Sequence, residues 1–287
     1  MIPRHRIARI TANLACALCL ASLIAAAGSK TSPLAISLHI QHVPLQIIEQ
    51  RLKSAPRSNP QREVTLRKMF LAAGCPAARL TEEPVDPGQP PNLICTMPGK
   101  ESSLIIVGGH LDKVRRGDGI VDDWSGSSML PSLYTSLHAT PRRHTFLFIA
   151  FTEEEKGLVG SKFYVRHLSR GFIQRIRAMV NLECLGMNPA EVWEDHAARP
   201  LLASLYRVSH SMGIIIPDVD LEGVGRDDAM SFRHRKAPTI TIHSLTQDTV
   251  RVLHSKRDNI SAEHMNDYYQ SYRLVAAYLA YLDRTLP

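Results

Sequence analysis

The 287-residue sequence has no internal repeat, no low-complexity tract and no second apolar stretch of membrane-spanning length after its first 27 residues. The missing repeat excludes a solenoid or another array, and the missing stretch excludes a protein with several membrane spans. Apolar residues make up 44% of the positions and charged residues 21%, which suits a globular protein with a sizeable core. We therefore expect one domain built around a single core.

The N-terminal segment has the three parts of a secretory signal peptide. Arg4, Arg6 and Arg9 precede an apolar run over residues 10–27, which ends in three alanines. We predict that residues 1–27 are removed on export and that residues 28–287 form the mature domain, in the periplasm or outside the cell. An uncleaved membrane anchor is the alternative, because the run approaches the roughly 20 residues that span a bilayer. Only that alternative predicts membrane contact.

The predicted mature chain carries little excess charge. Removing residues 1–27 takes away three arginines and no acidic residue, so the formal net charge falls from +7 to +4. A surplus this small and this scattered does not predict nucleic-acid binding. The sequence leaves the oligomeric state open.

The cysteines are few. Cys16 and Cys19 lie in the predicted signal peptide, which leaves Cys75, Cys95 and Cys184 in the mature domain. In an oxidising compartment Cys75 and Cys95 can form a disulfide, and two separate buried thiols are the alternative. Cys184 is expected to be buried at the end of a strand.

Five short apolar segments rich in β-branched residues are predicted to be strands. They are Asn92–Met97, Leu104–Gly108, Thr145–Phe151, Ala178–Leu182 and Thr239–His243. Helix-like stretches separate them along the chain. This alternation predicts an α/β fold, a three-layer sandwich in which helices flank a central, mostly parallel mixed sheet.

Two helices have recognisable limits. The first is predicted to have Asn59 as its N-cap, Pro60 in its first turn and Gly74 as its stop. The last covers residues 263–283, and we assign its aromatic and aliphatic face to core packing. The proline-rich segment over residues 84–91 is predicted to be a surface loop.

Polar residues of the types that bind metals follow three of the predicted strands or lie nearby. They are His110 with Asp112, Asp122 with Asp123, Glu153 to Glu155, Glu183, and His254 with Asp258. Each fragment alone is typical of a turn, a solvated face or a hydrogen-bonded pair. In open α/β sheets, however, ligands bind beyond the carboxyl ends of the strands. Imidazole and carboxylate ligands with a nearby carboxylate base are what metal-assisted hydrolysis requires, so the set together indicates a hydrolytic metal site.

With these motifs the chain resembles the M28 zinc peptidases, the family that includes bacterial leucyl aminopeptidases and has glutaminyl cyclases as relatives. The resemblance begins at the Asn-Leu-Ile-Cys-Thr-Met-Pro-Gly-Lys segment that starts with Asn92 and extends to the C-terminal helix. It implies a site of two zinc ions. In that site His110 and Glu183 bind one ion, Glu155 and His254 bind the other, and Asp122 bridges both.

The resemblance also implies roles for neighbouring acids. The Gly-Leu-Val-Gly-Ser segment that follows the three glutamates fixes their register, which makes Glu154 the general base and leaves Glu153 outside the site. Asp112 would orient His110 through its second ring nitrogen. A cis peptide is expected between Asp122 and the next residue.

The last ligand has a rival. His243 ends the fifth predicted strand and could take the place given to His254. His254 is preferred because Asp258 follows it at the spacing that the family shows, and Asp258 itself is expected to be structural.

The chain departs from the family pattern at two positions. Glu183 stands where aspartate is commoner in the aminopeptidases, so one zinc ion rather than two is the alternative. Trp124 occupies a place usually given to a small residue. Its indole is expected either to form a wall of the substrate pocket or to pack beneath the loop.

The resemblance implies an aminopeptidase that hydrolyses N-terminal residues from peptides, and the predicted signal peptide implies that it is exported. Peptides are the expected partner. A glutaminyl-cyclase-like acyltransferase with one zinc ion is the alternative function. A metal-free binding domain that keeps the fold without the chemistry is a third interpretation.

Overall fold

Seven strands form one mixed sheet in the computed structural model, which describes residues 38–217 and 226–287. The strands are β1 (Leu80–Glu83), β2 (Asn92–Met97), β3 (Leu104–His110), β4 (Thr145–Phe151), β5 (Ile176–Leu182), β6 (Glu191–Val192) and β7 (Thr239–His243). Their order across the sheet is β1-β2-β4-β3-β5-β7-β6. The predicted signal peptide lies outside the described residues.

The four central strands, β4, β3, β5 and β7, run parallel to one another. The strands β1, β2 and β6 each pair antiparallel with a neighbour. All of β3 and nearly all of β4 is buried, because helices cover both faces of the sheet. These features confirm the predicted α/β sandwich around a mostly parallel mixed sheet, with β3 and β5 each two residues longer than expected.

The sequence does not predict the outer strands β1 and β6. β1 reads Leu-Thr-Glu-Glu and buries only its leucine, and β6 has two residues. Segments this short and polar carry no period of two. Their pairing depends on the neighbouring strands that the fold places beside them.

Eight α-helices occur within the described ranges. They are α1 (Leu45–Lys53), α2 (Asn59–Ala72), α3 (Ser125–His138), α4 (Val159–His167), α5 (Arg170–Arg175), α6 (Arg199–Ser211), α7 (Asp228–Arg233) and α8 (Met265–Thr285). Side chains of α1, α2, α3, α6 and α8 form the larger core on one face of the sheet, and those of α4, α5 and α7 form the smaller core on the other. Neither α8 nor any other helix in these ranges combines the length and apolarity needed to cross a bilayer.

The limits of α2 differ by one residue from the prediction. The helix begins at Asn59, and Ser58 rather than Asn59 takes the N-cap position. The Asn59 amide instead contacts the backbone of Lys113, accepting from its N–H at 3.2 Å and facing its carbonyl at 3.5 Å. Gly74 follows the helix with a φ of 97°, a conformation that glycine adopts without steric penalty.

The C-terminal helix α8 begins two residues later than predicted. Tyr268, Tyr272 and Tyr278 on this helix are buried, which confirms that its aromatic face packs in the core.

A disulfide joins Cys75, three residues beyond α2, to Cys95 in β2. The bridge, rather than two separate thiols, is therefore the correct alternative. Cys184 is a free thiol and is buried, as expected.

Candidate metal centre

Five polar side chains converge at the carboxyl edge of the parallel strands. They are His110 at the end of β3, Asp122 in the turn before α3, Glu155 in the turn after β4, Glu183 directly after β5, and His254 in the loop after β7. Parallel strands end at the same edge of a sheet, so residues far apart in the sequence meet there.

Asp122 lies at the middle of this cluster. Its Oδ1 is 3.1 Å from Nε2 of His110, and that nitrogen is 3.5 Å from Oε1 of Glu183. Its Oδ2 is 3.1 Å from Nε2 of His254, and that nitrogen is 2.8 Å from Oε2 of Glu155. Asp122 thus separates His110 and Glu183, the inner pair, from His254 and Glu155, the outer pair.

The two pairs differ in exposure. His110 has no exposed surface and Glu183 is 7% exposed, whereas the side chain of His254 is 57% exposed. The amide of Asn181 donates to Oε2 of Glu183 at 3.1 Å. The glutamate side chains are equally buried, at 9% exposure each, so the difference lies in the histidines: His110 is enclosed and His254 faces solvent.

Asp112 connects the inner pair to the turn after β4. Nδ1 of His110 is 3.1 Å from the backbone oxygen of Asp112 and 3.4 Å from its Oδ1. The Asp112 carboxylate accepts hydrogen bonds from the backbone N–H groups of Glu154 and Glu155, at 3.0 and 3.2 Å. Such contacts fix the orientation of an imidazole whose other nitrogen faces the cluster.

A cis peptide joins Asp122 to Asp123, as the resemblance implies. The Asp123 carboxylate accepts hydrogen bonds from the backbone N–H groups of His110, Gly126 and Cys184, at 3.0–3.1 Å. It therefore ties the ends of β3 and β5 to the start of α3, a role that the sequence did not indicate. A Cβ at Gly126 would lie 2.5 Å from an oxygen of this carboxylate, so the close approach requires glycine.

The carboxylates raise the pKa values of both histidines in the metal-free protein. Burial lowers the pKa of His110, but hydrogen bonds with Asp112 and Asp122 more than offset this and raise it well above its usual value. Contacts with Asp122 and Glu155 raise the pKa of His254 to about 10. The cluster therefore gathers negative charge that bound protons balance when no cation is present.

Glu154 lies beside the cluster. Its side chain forms no ion pair within the described residues, and it lines the same cavity as Asp122 and Glu155. The pKa of Glu154 is raised to about 10, mainly by burial; His110 opposes the shift and Glu183 contributes to it. A nearby cation would lower this pKa and make the carboxylate available as a base.

A cavity of about 360 Å³ opens beside the cluster. Besides the acids and His254, its lining includes Leu158, Trp193, Arg226, Leu245 and Leu253. Apolar walls beside polar groups that converge on one point are typical of a ligand site. A larger cavity of about 710 Å³ lies among α1, α2 and α3 and contains none of the candidate ligands.

Trp124 does not line the smaller cavity. Its indole is fully buried, its Nε1–H donates to the backbone oxygen of Arg51 at 3.0 Å, and the Arg62 guanidinium lies 5.3 Å from its ring centroid. The prediction that Trp124 forms a wall of the substrate pocket is therefore wrong, and packing beneath the loop is correct. The turn directs the indole toward α1 and α2, and Trp193, which no motif marks, is the tryptophan at the cavity.

His243, the rival ligand, is placed away from Asp122. It is buried at the end of β7, its ring lies 5.1 Å from that of Trp193, and its Nδ1 is 3.9 Å from Glu191. Of the two rivals for the last ligand, His254 is the one that the structure brings to Asp122.

Two supporting residues extend the site. Oδ1 of Asp258 accepts a hydrogen bond from the backbone N–H of Val121 at 2.8 Å, which supports the turn that carries Asp122. Asn181 carries a weak sequence signal, since it is an asparagine inside a buried apolar strand. The hydrogen bond that Asn181 donates to Glu183 explains why a polar residue stands in this buried strand.

Comparisons with known proteins agree with this geometry. The model of Peptidase family M28 matches residues 92–279, more than half of the chain. Leupeptin-inactivating enzyme 1 of Streptomyces exfoliatus is 33% identical over 156 residues, which is 51% of this chain and 34% of that protein. The chain thus spans about a third or less of the length of the first curated relatives that it matches.

Solved structures share the fold. The LapA aminopeptidase of Legionella pneumophila gives a TM-score of 0.69 at 22% identity, covering 84% of this chain and 71% of that chain. A glutaminyl cyclase of an Acidobacteriales bacterium gives a TM-score of 0.72 at 16% identity, covering 89% of this chain and 99% of that chain. At these identities the likeness shows the fold alone. The family match over the segment that carries the convergent side chains shows that the chain belongs to peptidase family M28.

Proposed function

We propose that this chain is a zinc-dependent aminopeptidase that removes N-terminal residues from peptides. The observation that carries the proposal is the position of Asp122, whose Oδ1 faces the inner pair and whose Oδ2 faces the outer pair. Each pair holds one histidine and one glutamate. A carboxylate shared between two such pairs suits two neighbouring cations, since each gains an imidazole, a carboxylate and one shared oxygen.

The donor set fits zinc. Imidazole is a ligand that zinc accepts readily, whereas magnesium and calcium prefer oxygen ligands alone. Oε1 of Glu155 is buried without a hydrogen-bond partner among the described residues, which leaves a ligand atom available at the outer pair. In the proposed assignment the inner pair would hold one zinc ion and the outer pair the other, with one carboxylate oxygen of Asp122 available to each.

The side chains beside the ligands have separable roles. When bound, the zinc ions would polarise the scissile carbonyl and lower the pKa of the attacking water toward about 7. Glu154 takes the proton from that water and returns it to the departing amine. The Asp112 carboxylate holds Glu154 in place by accepting a hydrogen bond from the backbone N–H of Glu154 at 3.0 Å. The apolar walls, Leu158, Leu245 and Leu253, receive the N-terminal side chain and exclude water.

Aminoacyl reporter substrates with free and with acetylated N-termini test the proposal. We expect hydrolysis of the free substrates only, loss of activity on chelation, and recovery when zinc is returned. Equal hydrolysis of the acetylated substrates would contradict an aminopeptidase. Activity that persists after complete removal of the metal would contradict the zinc chemistry.

The same preparation separates the alternatives. Zinc content is measured after reconstitution, and a peptide with N-terminal glutamine is followed by mass spectrometry. Two zinc ions per chain with hydrolysis support the aminopeptidase. One zinc ion with release of ammonia and ring closure would support the glutaminyl cyclase, whose fold this chain shares over 89% of its length. A chain that binds no zinc and hydrolyses nothing would be a binding domain.

We also propose that the protein is exported with removal of residues 1–27, to the periplasm or outside the cell. The arginine-led apolar segment of the sequence and the Cys75–Cys95 disulfide support this, because disulfides persist in oxidising compartments. N-terminal sequencing of the protein recovered from a bacterial host should give a new terminus after Ala27. Recovery of the intact terminus in the membrane fraction would favour the anchor.

A further inference from the structure

Arg62 on α2 has no exposed surface, and arginine is seldom fully buried without a paired carboxylate. Its guanidinium instead donates hydrogen bonds to backbone carbonyl oxygens. The acceptors are Pro56 at 3.1 Å, Leu111 at 3.4 Å, Asp118 at 2.6 Å and Gly119 at 2.7 Å. A charged group at this depth requires hydrogen-bond partners. Each of the three guanidinium nitrogens has at least one, and three of the four acceptors belong to one loop.

That loop, residues 111–119, joins His110 to the turn that carries Asp122. It contains no helix or strand, so its shape depends on contacts from outside. Besides Arg62, α2 supplies Asn59, whose side chain contacts both the N–H and the carbonyl of Lys113. The segment between two of the proposed zinc ligands is therefore held by α2, together with backbone hydrogen bonds from Leu111 to Phe151 and from Asp118 to Asp258, both at 2.8 Å.

The indole of Trp124 fixes the guanidinium in turn. The Cζ of Arg62 lies 5.3 Å from the ring centroid, within the range of a cation–π contact. The Nε1–H of Trp124 donates to the backbone oxygen of Arg51, and Arg51 donates to Oγ of Ser132 at 2.6 Å. The planar guanidinium directs several N–H donors at the loop at once, which a lysine ammonium cannot reproduce.

The charge of Arg62 also suits its position. Burial lowers its pKa to about 10, and the carboxylates of Asp258, Asp112, Asp123 and Asp122 oppose that shift. The side chain is therefore charged at neutral pH, and its charge offsets part of the repulsion among the acids of the site.

We infer that Arg62 is a positioning residue for the zinc site, because it holds the loop over residues 111–119 in the shape that lets His110 and Asp122 bind the same ion. The inference rests on the proposed zinc site. Arg62 and α2 precede residues 92–279, the part of the chain that the family model matches. The N-terminal helices thus contribute to the metal site from outside that segment.

The test compares Arg62→Met with Leu66→Ala in the full chain. Leu66 lies one turn further along α2 and is equally buried, so its truncation loosens the core without removing a hydrogen bond to the loop. Zinc affinity is measured by competition with a chromogenic chelator, and stability by thermal unfolding. We expect R62M to bind zinc about 10- to 100-fold more weakly, the range for partners that orient metal ligands. L66A should unfold at a lower temperature with unchanged zinc affinity.

A conservative variant and a spectroscopic readout complete the test. Arg62→Lys keeps the charge and part of the hydrogen bonding, so its zinc affinity should lie between those of the wild type and R62M. It also carries the test if R62M does not fold. With cobalt(II) in place of zinc, the visible absorption bands should change in R62M and stay unchanged in L66A, because they report ligand geometry.

Equal zinc affinity in the wild type and the Arg62 variants would overturn the inference. So would equal losses in R62M and L66A, since the effect would then follow stability alone. A wild-type chain that binds no zinc would refute the proposed function instead, which keeps the two failures distinct.

Discussion

The inner pair, His110 with Glu183, and the outer pair, His254 with Glu155, have the same chemistry in different surroundings. His110 ends a buried strand, whereas His254 stands in a loop with a φ of 54° and a side chain that is 57% exposed. Asn181 additionally holds Glu183. The comparison shows that the sheet fixes His110 and Glu183 before any cation binds, whereas His254 of the outer pair is open to solvent.

The cavity reaches the two pairs unequally. Its lining includes both members of the outer pair and Asp122, but only Glu183 of the inner pair, since His110 is not part of it. A peptide that enters the cavity therefore reaches every candidate ligand except His110. We expect a cation at the inner pair to exchange more slowly, because His110 has no exposed surface.

The largest expected effect comes from Glu154→Gln. This variant tests whether the proposed zinc ions stay bound at both pairs when the proposed general base is removed. The amide has the shape of the carboxylate but cannot take a proton from water, so kcat should fall by about 10²- to 10⁴-fold. Zinc content, measured by plasma mass spectrometry on the same preparation, should stay at the wild-type value.

Glu153→Gln is the matched control for that variant. The Glu153 carboxylate pairs with Lys156 and does not line the cavity, so kcat should stay near the wild-type value. If E154Q instead lost a zinc ion, Glu154 would be a ligand and the division into two pairs would break down.

Removing the histidines one at a time from the metal-free protein measures the comparison directly. His110→Ala removes the buried histidine that Asp122 and Glu183 share, and breaking such a buried pair costs about 3–5 kcal/mol of unfolding free energy. His254→Ala removes a half-exposed partner, for which about 0–1 kcal/mol is expected. Urea unfolding in the presence of a chelator gives both values. Equal losses would contradict the conclusion that the fold holds His110 more firmly than His254.

The sequence predicted the central sheet and the candidate ligands because both leave local patterns. Buried parallel strands are continuous apolar runs, and the polar residues of the site stand next to their carboxyl ends. The short strands β1 and β6 leave no such pattern, since their pairing is a property of the finished sheet.

Side-chain direction could not be predicted in the same way. Asp122 and Trp124 are two residues apart in one turn, yet the first points into the cluster and the second packs against α1 and α2. The turn has no regular period, so spacing alone gave no direction. Arg62 and Trp193 come from segments without a motif, and only the tertiary fold brings them to the site.

Asn181→Ala should affect the inner pair alone. Loss of its hydrogen bond to Glu183 should weaken zinc binding about 10-fold at that pair, while the outer pair binds as before. Asn188→Ala is the control, because Asn188 donates a similar hydrogen bond at 3.0 Å to the backbone of Ser244, which is not a candidate ligand. Stepwise titration of the metal-free protein with zinc resolves the two affinities, and a uniform loss at both would show that the pairs are not independent.

Zinc stabilisation should also depend on pH, and the sign of this dependence follows from the proton that zinc must displace. The pKa of His254 is raised to about 10 in the metal-free fold, above its ordinary value of 6.5. The bound proton therefore stabilises the metal-free protein fully below about pH 6.5, and this contribution is lost as pH rises through about 10.

Zinc competes with that proton, so at fixed free zinc the rise in Tm on zinc binding should grow between pH 6 and pH 8. One displaced proton corresponds to about 1.4 kcal/mol per pH unit, or about 2–4 °C in a domain of this size. In His254→Ala the proton from the outer pair is absent, so thermal unfolding at buffered zinc should show a shallower slope, and an unchanged slope would place the displaced proton at the inner pair.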